Sequence, residues 1–220
     1  MKKLDEIMEQ IIADLEAKNS IRDLTLRRSR ELIRYCANSI RAVHRGEKAE
    51  AAELIAQADA AARLMVDDLR DYPDIYHAGY AQDALKELVE AHATQALVFG
   101  DPLPGPRDLN VEPAAYLNGL AEAASELRRF VLDVIRHGGV SRGEAALDAM
   151  DAIYGHLVTV DYPDAVTGGL RRTTDMLRAV LERTRGDFTT AVRQDKLQEA
   201  LSEFESRLSP FGSGTRDPGE

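Results

Sequence analysis

An all-α fold is the expectation from three features of the sequence. Ala and Leu supply most of the apolar positions, aromatics are only 5% and Trp is missing, a palette that favours helix over sheet. Apolar residues recur at helical spacing along most of the chain. No segment alternates apolar and polar residues with period two over a useful length. The expected architecture is a single-domain bundle of about seven helices in residues 1–208. The polar tail "SPFGSGTRDPGE", residues 209–220, reads as disordered.

Taken in order, the first helix spans about Lys3–Lys18. Asn19 or Ser20 offers an N-cap for a second, about Ile21–Arg45, closed by Gly46 at the position where a C′ glycine belongs. A third runs from about Lys48 to Leu69 and stops at "DYPD"; a fourth covers about Ile75–Phe99. The stretch "GDPLPGPRDLNVEP" carries four prolines and two glycines and is a loop. A fifth helix covers about Ala114–Arg136 and stops at "HGG"; Ser141 caps a sixth, to about Leu157. After the turn "VDYPD", a last long helix runs from about Ala165 to Arg185, with a break at "RGDFT" before a short helix through Leu208.

Composition narrows the function. Hydrophobic residues at 44% and charged residues at 30% suit a soluble globular protein. No run approaches the roughly 18 apolar residues of a membrane span, and the acidic N-terminus is unlike a signal peptide. The single cysteine, Cys36, allows no intrachain disulfide and falls on a core face, where it serves as a small packing residue. Together these point to the cytoplasm and to no membrane partner. Glycine-rich phosphate loops, a nucleophile elbow and CxxC are all missing.

The net charge of −10 is unevenly spread. Residues 18–45 carry eight Lys/Arg against two acids, a local charge of +6, which leaves −16 for the remainder. On a helical wheel Leu26, Ser29, Ile33, Cys36, Ile40 and Val43 share one arc; Arg27, Arg30, Arg34, Arg41 and Arg45 share another. Five arginines in one stripe suit the spaced phosphates of a nucleic-acid strand. They equally suit a solvated face, or pairing with an acidic neighbouring helix.

Two helices carry paired glutamates. Glu87 and Glu90 are three apart in "KELVEA"; Glu122 and Glu126 are four apart in "LAEAASELRRF", so each pair shares a helix face. Gly119 lacks a side chain next to the second pair and would let another helix approach. Either pair alone is ordinary surface charge. If the helices pack with these faces together, four carboxylates repel one another and a divalent cation relieves them. Oxygen donors select Mg²⁺, Mn²⁺ or Ca²⁺, and such an ion activates water for phosphodiester attack. A ferritin-like di-iron centre needs Glu-x-x-His; Ala93 and Arg129 stand where those histidines belong, and the five histidines show no ligand spacing.

With these features assembled, the chain resembles the translin family, most closely its catalytic branch, translin-associated factor X (TRAX). The residues that carry the resemblance are "RDLTLRRSR" at 22–30, "KELVEA" at 86–91, "PAAYLNGLAEAASELRR" at 113–129 and "RG" at 185–186. It covers roughly residues 15–190. The resemblance implies a helical protomer in a closed octameric shell, with or without a translin-like partner subunit. It further implies a Mg²⁺- or Mn²⁺-dependent endoribonuclease that cuts single-stranded RNA inside that shell. Glu87 and Glu90 match the family's E-x-x-E acids; Glu122 and Glu126 match its D-x-x-x-E, with Glu122 one methylene longer than the usual Asp. The alternative is a translin-like shell that binds single-stranded nucleic acid without catalysis, and a third reading is a helical scaffold whose charges serve only solubility.

Overall fold

The computed structural model describes residues 1–208 and contains eight helices and no strand among them. They are α1 (Lys2–Arg45), α2 (Lys48–Asp68), α3 (Pro73–Tyr76), α4 (Gly79–Phe99), α5 (Pro113–Ile135), α6 (Val140–Leu157), α7 (Asp164–Thr167) and α8 (Leu170–Leu208). The tail expected at 209–220 lies outside the described residues. None of the described helices is long and apolar enough to cross a membrane.

The all-α expectation holds, with five corrections to the elements. The first two expected helices are one continuous helix of 44 residues. Asn19 and Ser20 do not cap: the Ser20 hydroxyl donates back to the Glu16 carbonyl at 2.9 Å, a bond available to serine inside a helix. Ile75 belongs to the separate turn α3, because Ala78 is extended at ψ 143° before α4 begins. Ser141 is not a cap; Gly139 occupies that position without a side-chain bond. At the C-terminal end, Gly168 and Gly169 adopt φ 61° and 83°, which separates α7 from α8. The "RGDFT" segment does not break α8, because Phe188 is 7% exposed and packs in the core.

α5 lies at the centre and packs on α4, α6 and α8; the second half of α1 packs on α2 and α4. One core cluster gathers Leu32, Cys36, Met65, Leu85 and Leu88. A second joins Val43, Leu127, Val131, Met150, Leu181 and Phe188. A third holds Ala121, Ala124, Ile153, Leu157 and Leu177. The buried face of α1 is wider than the expected arc and takes in Leu32, Ser39 and Ala42, since two helices cover it. The first twenty residues of the chain stand exposed.

The tightest helix crossing is α4 on α5 at Gly119. A Cβ there would lie 2.5 Å from the Lys86 carbonyl oxygen and 2.7 Å from Val89 Cβ. Backbone cannot yield as a flexible side chain can, so Gly119→Ala is expected to destabilise the fold by roughly 1–3 kcal/mol. Chemical denaturation checks this, and a variant as stable as the parent would contradict the close crossing.

Candidate metal centre

The α4–α5 crossing decides which acids meet. Val89 and Lys86 are held against Gly119, so the stripe of α4 that carries Glu87 and Glu90 faces the next turn of α5, which carries Glu122. One carboxylate oxygen from each of Glu87, Glu90 and Glu122 lies within 4.8 Å of the others. All three side chains are half-buried. Burial, reinforced by the charges of Glu87, Glu122 and Glu126, pushes the Glu90 carboxyl up to about 8. Burial likewise raises Glu87, with Lys86 opposing.

Glu126 stands outside the group of three. Its Oε1 accepts a hydrogen bond of 2.6 Å from Nε2 of His44, near the C-terminus of α1. That bond, ahead of the opposing effect of burial, holds the Glu126 carboxyl below the ordinary carboxylate value. The His44 side chain is 1% exposed. Glu122 also has a cation: the Lys86 ammonium donates to its Oε1 at 2.8 Å. The four carboxyls therefore differ. Glu90 is driven toward the protonated form, while Glu126 is held ionised, and environments that separate acids in this way equip a site for acid–base chemistry.

No family model matches the chain. Among curated proteins it is 31% identical over 208 residues to the uncharacterized protein MJ0175 of Methanocaldococcus jannaschii, covering 94% of this chain and 91% of that one. Among solved structures it superposes on AfC3PO bound to duplex RNA with a TM-score of 0.79 and 34% identity, covering 85% of this chain and 97% of that one. AfC3PO alone gives 0.79 and 33% over the same shares. Apo-NeC3PO, at 18% identity, shares the fold with a TM-score of 0.76 over 84% of this chain and 96% of that one. The chain belongs to the translin family.

Within this translin-family fold, sequence reasoning missed His44 and Lys86. The histidines carry no ligand spacing in the sequence, and His44 reaches Glu126 across 82 residues only through the packing of α1 against the α4–α5 pair. Lys86 adjoins Glu87 in sequence, yet its partner is 36 residues away. The arginine stripe is exposed along its whole length. Arg34 pairs with Glu31, Arg41 donates to Asn38, and Arg45 pairs with Glu47 and Glu50. Among the described residues Arg27 and Arg30 have no ion-pair partner. Cys36 is fully buried, and burial pushes its thiol up, which suits packing rather than nucleophilic chemistry.

The raised Glu90 pKa implies a pH dependence of stability. With the folded value near 8 above the unfolded one, this group's contribution is fully present below about pH 4.5 and is lost as pH rises through about 8. In EDTA, unfolding free energy is expected to fall by roughly 1–3 kcal/mol between pH 6 and pH 8.5. Glu90→Gln should flatten the slope. Denaturation curves at both pH values check this; an unchanged slope in the variant would mean that the carboxyl is not perturbed.

Proposed function

We propose that this translin-family protein is a metal-dependent endoribonuclease acting on single-stranded RNA inside a closed homo-oligomer, an octamer with or without a translin-like subunit. The observation that carries the reading is the convergence of Glu87, Glu90 and Glu122 at the α4–α5 crossing. Three carboxylates this close repel one another, and that repulsion adds to burial in raising the Glu90 value. An all-oxygen donor set of this kind fits Mg²⁺ or Mn²⁺, which Glu87, Glu90 and Glu122 would hold, with Glu126 completing the acidic set. When bound, such an ion supplies a nucleophilic water at neutral pH and offsets charge on the phosphoryl oxygens.

The chain's own groups divide the remaining work. Glu126, ionised and oriented by the His44 hydrogen bond, accepts the proton of the attacking water. The water oxygen forms the new bond to phosphorus as the bond to the leaving ribose oxygen breaks, and that oxygen takes up a proton from solvent. Lys86, beside Glu122, offers its remaining N–H donors to a non-bridging phosphate oxygen. Arg27, Arg30, Arg34, Arg41 and Arg45 contact phosphates of the strand outside the centre. AfC3PO, the neighbour at 34% identity, was solved with duplex RNA, which supports RNA as the ligand.

A second reading, an RNA-binding shell without catalysis, is favoured by one observation: Lys86 already neutralises Glu122. Purified protein with labelled single-stranded and duplex RNA, in Mg²⁺, Mn²⁺ or EDTA, separates the two. Cleavage is expected with metal and not with EDTA. Glu87→Gln, Glu90→Gln and Glu122→Gln should reduce it to background while RNA binding persists. His44→Gln should lower it by roughly 10–100-fold, the usual effect of losing a group that orients a site residue. Arg27→Glu with Arg30→Glu should weaken binding of every RNA and flatten its salt dependence. Undiminished cleavage in Glu90→Gln would end the nuclease reading.

Assembly is supported by an apolar stripe on the projecting end of α1. Leu4, Ile7, Met8, Ile11, Ile12 and Leu15 are each 44–60% exposed, a contiguous apolar face of the kind that marks interaction sites. The polar side of the same turns carries Asp5, Glu6, Glu9, Asp14 and Glu16, which confines the apolar surface to one helix face, and the matching face of a second copy of the chain suits that stripe. Light scattering is expected to give a discrete oligomer, shifted to a smaller species by Ile7→Glu with Ile11→Glu. A parent protein that is monomeric across a wide concentration range would contradict it.

A further inference from the structure

The candidate centre already holds one cation of its own. The Lys86 ammonium donates to Glu122 Oε1 at 2.8 Å, and both side chains are half-buried. Burial works against a charge there, but the hydrogen bond to Glu122 and the charges of Glu122, Glu87 and Asp83 outweigh it, so the ammonium stays charged. The contact is built into the helix crossing. The Lys86 carbonyl is pressed against Gly119, which fixes where its side chain starts, and Glu122 stands about one turn further along α5.

Lys86 also lines a cavity of about 830 Å³ between the start of α4, the first half of α5 and the α7–α8 turn, where Asp83 and Glu112 present further carboxylates. Asp83 lies one turn before Lys86 on the same face of α4, and it is in no ion pair among the described residues. The ammonium therefore has a second carboxylate within reach and open space in which to turn toward it. The two positions differ in their effect on a metal. On Glu122 the ammonium sits a few ångströms from the point where Glu87, Glu90 and Glu122 converge, so it repels a divalent ion there and holds part of Glu122 for itself. At Asp83 it would stand on the cavity side, at a residue about 10 Å along the helix axis from Glu90.

We propose that Lys86 is an internal counter-cation: it occupies Glu122 in the metal-free protein and turns toward Asp83 when a divalent ion is held by Glu87, Glu90 and Glu122, so that this one side chain sets the affinity of the centre for metal. The proposal rests on the reading of the three glutamates as a metal centre, and its test is metal binding in the absence of RNA. Mn²⁺ is titrated into the full chain and followed by electron paramagnetic resonance. Lys86→Met should tighten binding roughly tenfold or more, because a competing charge leaves the site. Lys86→Arg keeps the charge and should stay within about threefold of the parent. Arg129→Met removes an exposed cation from the turn of α5 after Glu126 and should shift the affinity by less than about threefold, since solvent screens it. A second measurement needs no variant: acetic anhydride labels the lysines of the parent and mass spectrometry reads each one. Mg²⁺ should raise the labelling rate of Lys86 relative to the other lysines. Equal affinity in the parent and Lys86→Met, binding by Lys86→Arg as tight as by Lys86→Met, or labelling of Lys86 that ignores Mg²⁺ would overturn the counter-cation and leave the centre standing. Absence of Mn²⁺ binding in the parent and Lys86→Met alike would overturn the centre and the counter-cation together.

Discussion

The α4–α5 crossing at Gly119 is the contact on which the candidate site depends. With no Cβ at that position, the Lys86 carbonyl and Val89 of α4 press directly on the α5 backbone. The crossing brings Glu87 and Glu90 to the same side as Glu122, one turn beyond the glycine. A side chain at position 119 would push the helices apart at the point where the carboxylates meet. The same contact sets Lys86 opposite Glu122 and forms one boundary of the neighbouring cavity. One missing side chain therefore governs the carboxylate spacing, the ammonium beside it and the space that adjoins both.

Around that crossing the four acids are made unequal. Burial and like charge act against ionisation of Glu90 and Glu87. His44, reaching in from α1, does the reverse for Glu126. A buried carboxylate keeps its charge only when a donor or a cation compensates for lost water; Glu126 has His44 and Glu122 has Lys86, while Glu90 has neither. The cluster is thus left short of positive charge, a setting in which a divalent ion could be held.

The long helices serve a different purpose from the site. The second half of α1 is buried between α2 and α4 and carries both the arginine stripe and His44. Its first half projects with an apolar side uncovered, and the end of α8 likewise exposes Leu197, Leu201 and Phe204. Uncovered apolar faces of this kind are the surfaces on which proteins meet partners. The charge asymmetry fits the same division: basic residues concentrate on the packed half of α1, and acidic ones on its projecting turns.

The sequence by itself determined the helical class, the loop at 100–112, the two glutamate faces and the importance of Gly119, because all of these are local. Helical period and Ala/Leu content need no knowledge of neighbours, and residues three or four apart share a face in any helix. It misjudged the continuity of α1 and α8. Asn19 and Ser20 have the chemistry of caps but also tolerate helix at small cost, and Phe188 holds α8 through "RGDFT" by a core contact invisible in one dimension. Tertiary structure alone decided that three of the glutamates converge while Glu126 turns to His44, and that Lys86 answers Glu122. Those pairings join residues 32 to 82 positions apart, and they follow from how close two helices can approach, a matter of packing rather than of pattern.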